Sequence, residues 1–279
     1  GILHNSEVWQ ELTEEDKKQL NKIDHAILKQ IVGSQSKAPT EQLYLETSTL
    51  SVTQIIAVRR MVYLQTILTR TEGELTRKVY EAMKADPLPG DWIKRVEKDF
   101  EEINLIISED QIINMCPLKY KSLIKEKMRD AAFIHLKEIQ ASHEKGGTTY
   151  HENLLQPQKY LVTNKLTNKQ KSLLFNLRCQ SVRGVRQNFS KMYFGDVQCR
   201  LCNLDIDCQI HILTCEAPKK YFSWNHDIKY EFIYGTLDQQ VQFMNMFTPL
   251  MDVREQLLDK GTSHRGINTG LLDIMTCNV

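Results

Sequence analysis

Glycine and proline are scarce in this chain, and long apolar runs are missing. Only 12 of the 279 residues are glycine and 7 are proline, while 41% are hydrophobic and 25% are charged. This composition excludes collagen-like and wholly disordered proteins and leaves enough apolar side chains for a buried core. The apolar runs end after a few residues, well short of the roughly 20 that cross a bilayer. We therefore predict no membrane partner.

The amino terminus lacks the features of a secretory leader. Residues 1–4 read GILH, with no initiator methionine and no basic or apolar segment of a signal peptide. We expect a piece of a longer polypeptide that stays inside the cell, in the nucleus or the cytoplasm. The seven cysteines are an odd number, and four of them lie between Cys199 and Cys215. Such clustering favours a metal site in a reducing compartment over a disulfide framework.

Helical patterns fill most of the chain. Thr13 precedes three acidic residues, and apolar residues then recur at spacings of three and four as far as Gly33, which predicts a capped helix. No hairpin pattern and no 20–50-residue repeat is present. The predicted fold class is therefore mainly α. Similar patterns predict a short helix from Thr40 and further helices over 52–68, 74–83, 91–100 and 118–143, from Thr167, and over 238–258.

A basic stretch occupies residues 158–200. It holds nine lysines and arginines but one acid, Asp196, for a net charge of +8, and aromatic residues are interleaved with the charge. Clustered cations neutralise phosphates, and aromatic faces stack on unpaired bases, so the stretch predicts nucleic-acid contact. A solvated basic face that balances an acidic neighbour is the alternative. The predicted phosphate-binding residues are Lys165, Lys169, Lys171, Arg178, Arg183 and Arg186, with Arg59 and Arg60 added from an earlier helix.

The helical pattern also predicts where these side chains point. From Thr167 onward the apolar side of the helix carries Leu173, Leu174 and Leu177, which places Lys169, Lys171 and Arg178 toward solvent. In the helix over 52–68, Arg59 and Arg60 lie outside the apolar face. We therefore expect all five cations to be exposed.

Four cysteine and histidine residues follow a metal-ligand spacing, Cys199-x2-Cys202-x8-His211-x3-Cys215. A Cys-x2-Cys turn presents two thiolates to one ion, and a His and a Cys four positions apart lie on one face of a short helix. Three thiolates and one imidazole suit tetrahedral Zn²⁺ and leave no position for a catalytic water, so we predict a structural zinc. Cys208 is a fifth candidate ligand, and a chance cluster of core thiols is the alternative to a metal site.

These elements, in this order, resemble the carboxy-terminal region of non-LTR (LINE-type) retrotransposon reverse transcriptases. The likeness covers roughly residues 1–260, and its order along the chain is more specific than any single motif. The motifs that carry it are the cysteine–histidine cluster and residues 5–9 (NSEVW), 43–46 (LYLE), 59–64 (RRMVYL), 90–92 (GDW), 173–178 (LLFNLR) and 188–189 (NF).

The chain departs from such an enzyme in its acidic residues. A polymerase palm holds two metal ions with an Asp-Asp pair, and no such pair occurs anywhere in this sequence. The resemblance therefore implies the thumb end and zinc knuckle of a reverse transcriptase, with no catalytic residues and no enzyme activity on its own. The upstream polymerase core of the same polypeptide becomes an expected partner.

The pattern and the resemblance together suggest six segments. These are thumb-like helices over 1–70, a helical linker region over 71–146, a basic helical segment over 147–196, the CCHC zinc knuckle over 197–218, a C-terminal helical segment over 219–260 and a flexible tail over 261–279.

Two functional hypotheses remain open. In the first, the chain is a non-catalytic part of a reverse transcriptase that binds template, primer or target DNA, with RNA or DNA or both as partners and no small-molecule substrate. In the second, it is a co-opted helical scaffold in which zinc stabilises a small subdomain and the basic face docks an acidic protein.

Overall fold

The chain is described here by a computed structural model. It covers residues 3–34, 38–88, 90–142, 156–179, 181–182, 198–199, 201–204, 209–215 and 230–259. Arg183, Arg186, Cys208 and the predicted tail lie outside these described residues. No strand is assigned in the described ranges, and the mainly α prediction is confirmed.

Eleven α-helices are assigned in those ranges. Short 3-10 turns at Ser6–Val8 and Tyr230–Ile233 accompany them. No described helix is both long and apolar enough to cross a membrane. In chain order the helices are α1 Glu14–Val32, α2 Thr40–Thr47, α3 Val52–Leu68, α4 Leu75–Ala85, α5 Trp92–Glu102, α6 Glu109–Asn114, α7 Pro117–Ser142, α8 Lys159–Val162, α9 Asn168–Arg178, α10 Gln209–Thr214 and α11 Leu237–Asp259.

The contacts divide the chain into two compact units. The first comprises Gly1–Leu28, Thr47–Gly146 and Asn153–Pro157. The second comprises Lys29–Glu46, Gly147–Glu152 and Gln158–Val279. The six segments suggested by the sequence stay a prediction.

Helix α3 is the centre of the first unit. Ser51 starts it with a capping box, in which its hydroxyl accepts from the Gln54 N–H and the Gln54 side chain accepts from the Ser51 N–H. Helices α5, α6 and α7 and the Ser6–Val8 turn all pack on it. The helix therefore buries residues on several sides, including Met61 and the polar Gln65. Gln65 offsets its burial by donating to the carbonyls of Ile112 and Met115, both at 2.8 Å.

Helices α9 and α11 form the core of the second unit. Leu174, Phe175 and Leu177 of α9 are buried. In α11, the rings of Phe243 and Phe247 stack with centroids 5.0 Å apart. Thr167 caps α9 as the sequence predicts, with its hydroxyl accepting from the Gln170 N–H.

Candidate functional site

The predicted zinc ligands converge within the second unit. The donor atoms of Cys199, Cys202, His211 and Cys215 all lie within 4.8 Å of one another. Cys199 Sγ is 3.9 Å from Cys215 Sγ, and Cys202 Sγ is 3.2 Å from His211 Nε2. No disulfide joins Cys199, Cys202 and Cys215. The structure therefore brings together a set of side chains that can bind a metal ion.

The backbone around the two leading cysteines shapes this cluster. The Leu201 N–H donates to Cys199 Sγ and the Leu204 N–H donates to Cys202 Sγ, both at 3.4 Å. Asn203 adopts the left-handed region with φ of 57°, and its N–H donates to the Cys199 carbonyl at 2.9 Å, which closes the turn that carries both cysteines. N–H groups directed at sulfur stabilise the thiolate form that a metal requires. This geometry follows from a Cys-x2-Cys turn and from asparagine at the next position, a residue type that tolerates positive φ.

Helix α10 supplies the other two ligands. It spans Gln209–Thr214, and Cys215 follows its last residue. His211 therefore lies one helical turn before Cys215 and on the same side. This placement confirms the short helix predicted from the His-x3-Cys spacing. Cys208, the fifth candidate ligand, lies outside the described residues.

The distance between the two buried sulfurs fits a tetrahedral site. Zinc bonds of about 2.3 Å to sulfur place two sulfurs roughly 3.8 Å apart, close to the 3.9 Å between Cys199 and Cys215. Both of these cysteines are buried, whereas Cys202 and His211 are partly exposed. The two buried cysteines therefore form the inner side of the cluster. Cys202 and His211 form the outer side, through which an ion can enter from solvent.

The cluster also favours a thiolate at Cys199. The pKa of this thiol is lowered to about 5, first by its hydrogen bond with Cys215 and then by backbone N–H groups of Cys202 and Leu201 and the charge of His211, against the opposing effect of burial. The buried Cys179, outside the cluster, behaves in the opposite way, because burial raises the pKa of its thiol. Metal ligation requires the deprotonated sulfur, so Cys199 has the ionisation that a ligand needs.

Two lysines of the predicted phosphate-binding set form ion pairs at the surface of the second unit. Lys165 Nζ is 2.8 Å from Asp238 Oδ1, and Lys169 Nζ is 2.7 Å from Asp252 Oδ1. Both lysine side chains are more than half exposed, at 55% and 58%. Exposed pairs of this kind contribute about 0–1 kcal/mol. Either lysine can therefore exchange its carboxylate for a phosphate at small cost.

The prediction that Arg178 points toward solvent is wrong. Its side chain is 3% exposed; Nε donates to Glu46 Oε1 at 2.6 Å and Nη1 donates to the Ile233 carbonyl at 2.9 Å. The guanidinium also lies over the ring of Tyr234, 4.7 Å from its centroid. The error has a simple cause: residues 174–179 are all buried, so the last turns of α9 have no solvent side. Arg178 is a core residue of the second unit.

Arg59 and Arg60 differ in environment although they are neighbours on α3. The expectation that Arg60 lies outside the core is wrong, because Nε donates to Asp99 Oδ2 at 2.7 Å and Nη2 donates to Oδ1 at 3.1 Å inside the first unit. The packing of other helices around α3 buries the side that the apolar pattern leaves open. Arg59 is exposed, 4.0 Å from Glu7 Oε2, and its Nη1 donates to the Leu3 carbonyl.

Lys171 is half-buried and makes no ion pair within the described part of the chain. The structure therefore leaves Lys165, Lys169, Lys171 and Arg59 reachable from solvent. It does not describe Arg183 or Arg186.

A row of cations on α7 is absent from the residues predicted above to bind phosphate. Lys121, Lys125 and Arg129 are exposed, four positions apart, and lie on the same side of the helix. The signal was present, since each cation directly follows a residue of the buried row Tyr120, Ile124 and Met128.

The chemistry of the cluster follows from its donors. Three sulfurs and one imidazole nitrogen can saturate a tetrahedral cation, which leaves no position for a substrate or a reacting water. Comparisons of the chain with protein-family models, with curated proteins and with solved structures find no match. The donors and charges of this chain therefore carry the functional conclusion.

Proposed function

We propose that this chain is a nucleic-acid-binding, non-catalytic part of an RNA-directed DNA polymerase of the non-LTR retrotransposon type. In this role it holds template RNA, primer or target DNA for a polymerase core located elsewhere in the same polypeptide. The observation that carries the proposal is the convergence of three thiols and one imidazole within 4.8 Å, next to a stretch with a net charge of +8.

The proposed ion is Zn²⁺, in a structural role. Thiolate and imidazole donors favour Zn²⁺ over hard ions such as Mg²⁺ and Ca²⁺, and a full set of four protein ligands is typical of structural zinc sites.

The proposed phosphate contacts are revised from the sequence prediction. Arg178 and Arg60 are excluded, because their guanidinium groups bind buried carboxylates. Lys165, Lys169 and Lys171 are kept as exposed or half-buried cations of the second unit. Arg183 and Arg186 remain predictions from the sequence alone.

Replacing Lys165, Lys169 and Lys171 together by alanine is expected to weaken binding to unrelated RNA sequences alike. Phosphate contacts carry no sequence information, so the loss is uniform across sequences. For a single strand, each lost contact reduces the slope of log K against log salt by about 0.7, or roughly 2 for three contacts. Fluorescence anisotropy of labelled oligonucleotides over a salt series measures both quantities.

Lys17, Lys18 and Lys22 of α1 provide the matched control. Their triple alanine variant removes the same charge, and Lys17 is itself ion-paired to Glu14 at 2.6 Å. We expect it to retain both the affinity and the salt slope of the parent chain. Equal losses in the two triple variants would mean diffuse charge attraction rather than a defined contact.

The chain by itself is expected to extend no primer. The two-metal mechanism needs a carboxylate pair, and the sequence offers no Asp-Asp turn to hold the ions. Primer extension on an RNA template with Mg²⁺ or Mn²⁺ checks this expectation. Template-directed products above those of a heat-inactivated sample would contradict it.

One observation favours the scaffold alternative. Lys165, Lys169 and Arg178 all bind carboxylates of this same chain, which is what a basic face that balances internal acids would do. In that case the chain binds an acidic protein, and the affinity for RNA is weak and insensitive to the lysine substitutions. The salt series above separates the two functions.

A further inference from the structure

A groove in the first unit combines an apolar wall with a cationic one. It has a volume of about 630 Å³ and lies where α3 and α7 pack together. One wall carries the apolar side chains of Ile55, Val58 and Val62 from α3. The other wall carries Lys121, Lys125 and Arg129 from α7, and Arg59 stands on the α3 side. Among the described residues of the lining, Glu7 is the single acid.

The three cations of α7 form a regular row. Positions four apart on an α-helix are separated by about 6 Å along its axis, so the row spans about 12 Å from Lys121 to Arg129. A spacing of this size is comparable to that of successive phosphates along one strand of a nucleic acid. The row can therefore contact consecutive phosphodiester groups without bending the helix.

The charges of this row have no carboxylate partner among the described residues. Lys121, Lys125 and Arg129 form no ion pair with any residue that the structure describes, whereas Lys165 and Lys169 each bind a carboxylate. Like charges four positions apart on a helix destabilise it by about 0.2–0.5 kcal/mol for each pair. Because no described carboxylate offsets this repulsion, the row favours an anion from outside the chain.

Tyr63 gives the groove a surface for a planar group. Its ring is half-buried and meets the Trp92 ring edge-on, with centroids 6.2 Å apart. This contact fixes the ring, while the tyrosine still lines the groove. An ordered aromatic ring beside a row of cations can stack one unpaired base while the cations bind the flanking phosphates.

We infer that this groove binds the backbone of single-stranded RNA or DNA, with Lys121, Lys125, Arg129 and Arg59 on the phosphates and one unpaired base against Tyr63. A duplex fits less well, because its bases are stacked on each other and offer no free face to Tyr63. This inference rests on the proposed function and adds a second contact surface to it, in the unit that does not hold the metal cluster.

The test compares two triple glutamine variants of α7. Lys121→Gln, Lys125→Gln and Arg129→Gln remove the three α7 charges from the groove, while Lys119→Gln, Lys127→Gln and Lys137→Gln remove the same charge from exposed positions outside the groove lining. The probe is a labelled 15-residue uridine oligonucleotide, followed by fluorescence anisotropy over a salt series. We expect the groove variant to lose affinity and to reduce the salt slope by roughly 2. The control variant should keep both.

A substitution at Tyr63 separates stacking from charge. Tyr63→Leu is expected to weaken binding of the single strand about fivefold or more, whereas Tyr63→Phe keeps the ring and the affinity. Binding of a blunt duplex should respond much less to Tyr63→Leu. Thermal midpoints near that of the parent chain show that the fold is intact, and a variant that loses its fold is replaced by Lys125→Gln alone.

Several outcomes would overturn the inference. Equal losses of RNA affinity in the two glutamine variants would mean that RNA binds by diffuse charge attraction and not in this groove. Unchanged RNA binding in the groove variant, with loss only in the Lys165, Lys169 and Lys171 variant, would reject this groove and leave the proposed function standing. Loss of binding to a polyglutamate peptide but not to RNA would identify an acidic protein segment as the occupant. A parent chain that binds no nucleic acid would reject both proposals together.

Discussion

Replacing Arg178 by methionine is expected to lower the free energy of unfolding of the second unit by about 3–5 kcal/mol, the usual cost of removing one partner from a buried ion pair. The side chains of Arg178 and Glu46 are 3% and 0% exposed, and Arg178 Nε lies 2.6 Å from Glu46 Oε1. Methionine fills much of the volume of arginine but leaves the Glu46 carboxylate in the core without this countercharge. Urea denaturation followed by circular dichroism measures the loss.

Lys169→Met on the same helix is the matched control. Lys169 also binds a carboxylate, that of Asp252 at 2.7 Å, but its side chain is 58% exposed. Because water screens an exposed pair, we expect a loss of at most about 1 kcal/mol. If both methionine variants lose the same stability, the burial of the Arg178 pair has no energetic role.

A double variant tests the pairing itself. Glu46→Gln with Arg178→Met removes both charges, so the combined loss should be smaller than the sum of the single losses. The coupling arises because each single variant leaves one buried charge unpaired, while the double variant leaves none. Strict additivity would mean that Arg178 stabilises the unit mainly through the Ile233 carbonyl and the Tyr234 ring.

Local patterns predicted the helices well. Thr167 precedes an apolar period and caps α9, and Asp91 caps α5 by accepting from the Lys94 N–H at 3.0 Å. Gly33 has a φ of 63° just after α1, where a left-handed residue ends a helix. These features depend on residues within one turn of each other, so a single sequence contains them. Ser108 and Gln111 form a capping box at α6, a helix that is absent from the predicted set although its signal is local.

Burial was less predictable than helicity. Ile23, Ile27 and Ile31 follow helical spacing in α1, yet they are 43%, 50% and 70% exposed. Arg60 and Arg178, which a sequence pattern assigns to the surface, are 3% exposed. The difference depends on partners distant in the chain, since Arg60 binds Asp99 and Arg178 binds Glu46.

The metal cluster could be predicted because its geometry is local. All four ligands lie between Cys199 and Cys215, and a tight turn followed by a short helix is sufficient to bring them together. The cation row of α7 is as local in sequence as the metal cluster. Its proposed role, however, depends on the groove that α7 forms with α3. A row of lysines and arginines is common on exposed helices, and only the absence of internal carboxylate partners among the described residues sets this one apart.

Replacing Cys202 by serine is expected to abolish metal binding, with a loss of about one equivalent of zinc from the purified chain. Serine retains the size of the side chain but not the soft thiolate, and three remaining donors hold Zn²⁺ far less tightly than four. Because binding and local folding are coupled in small zinc units, with apparent energies of about 10–16 kcal/mol in zinc-finger peptides, residues around 197–218 should also lose their protection from hydrogen exchange. Elemental analysis and peptide-level hydrogen exchange measure the two effects.

Cys116→Ser is the matched control, because Cys116 is an exposed free thiol of the first unit. It should retain the metal and the exchange pattern of the parent chain. Cys208→Ser should also retain the metal. If the Cys208→Ser variant loses the metal, the fourth ligand is Cys208 instead of His211. The helices of the first unit have their own core around Met61, Tyr120 and Ile124, so a chelator should leave their exchange unchanged. A parent chain without metal, or a Cys202→Ser variant with a full equivalent, would reject the zinc assignment and leave the cluster as a group of core thiols.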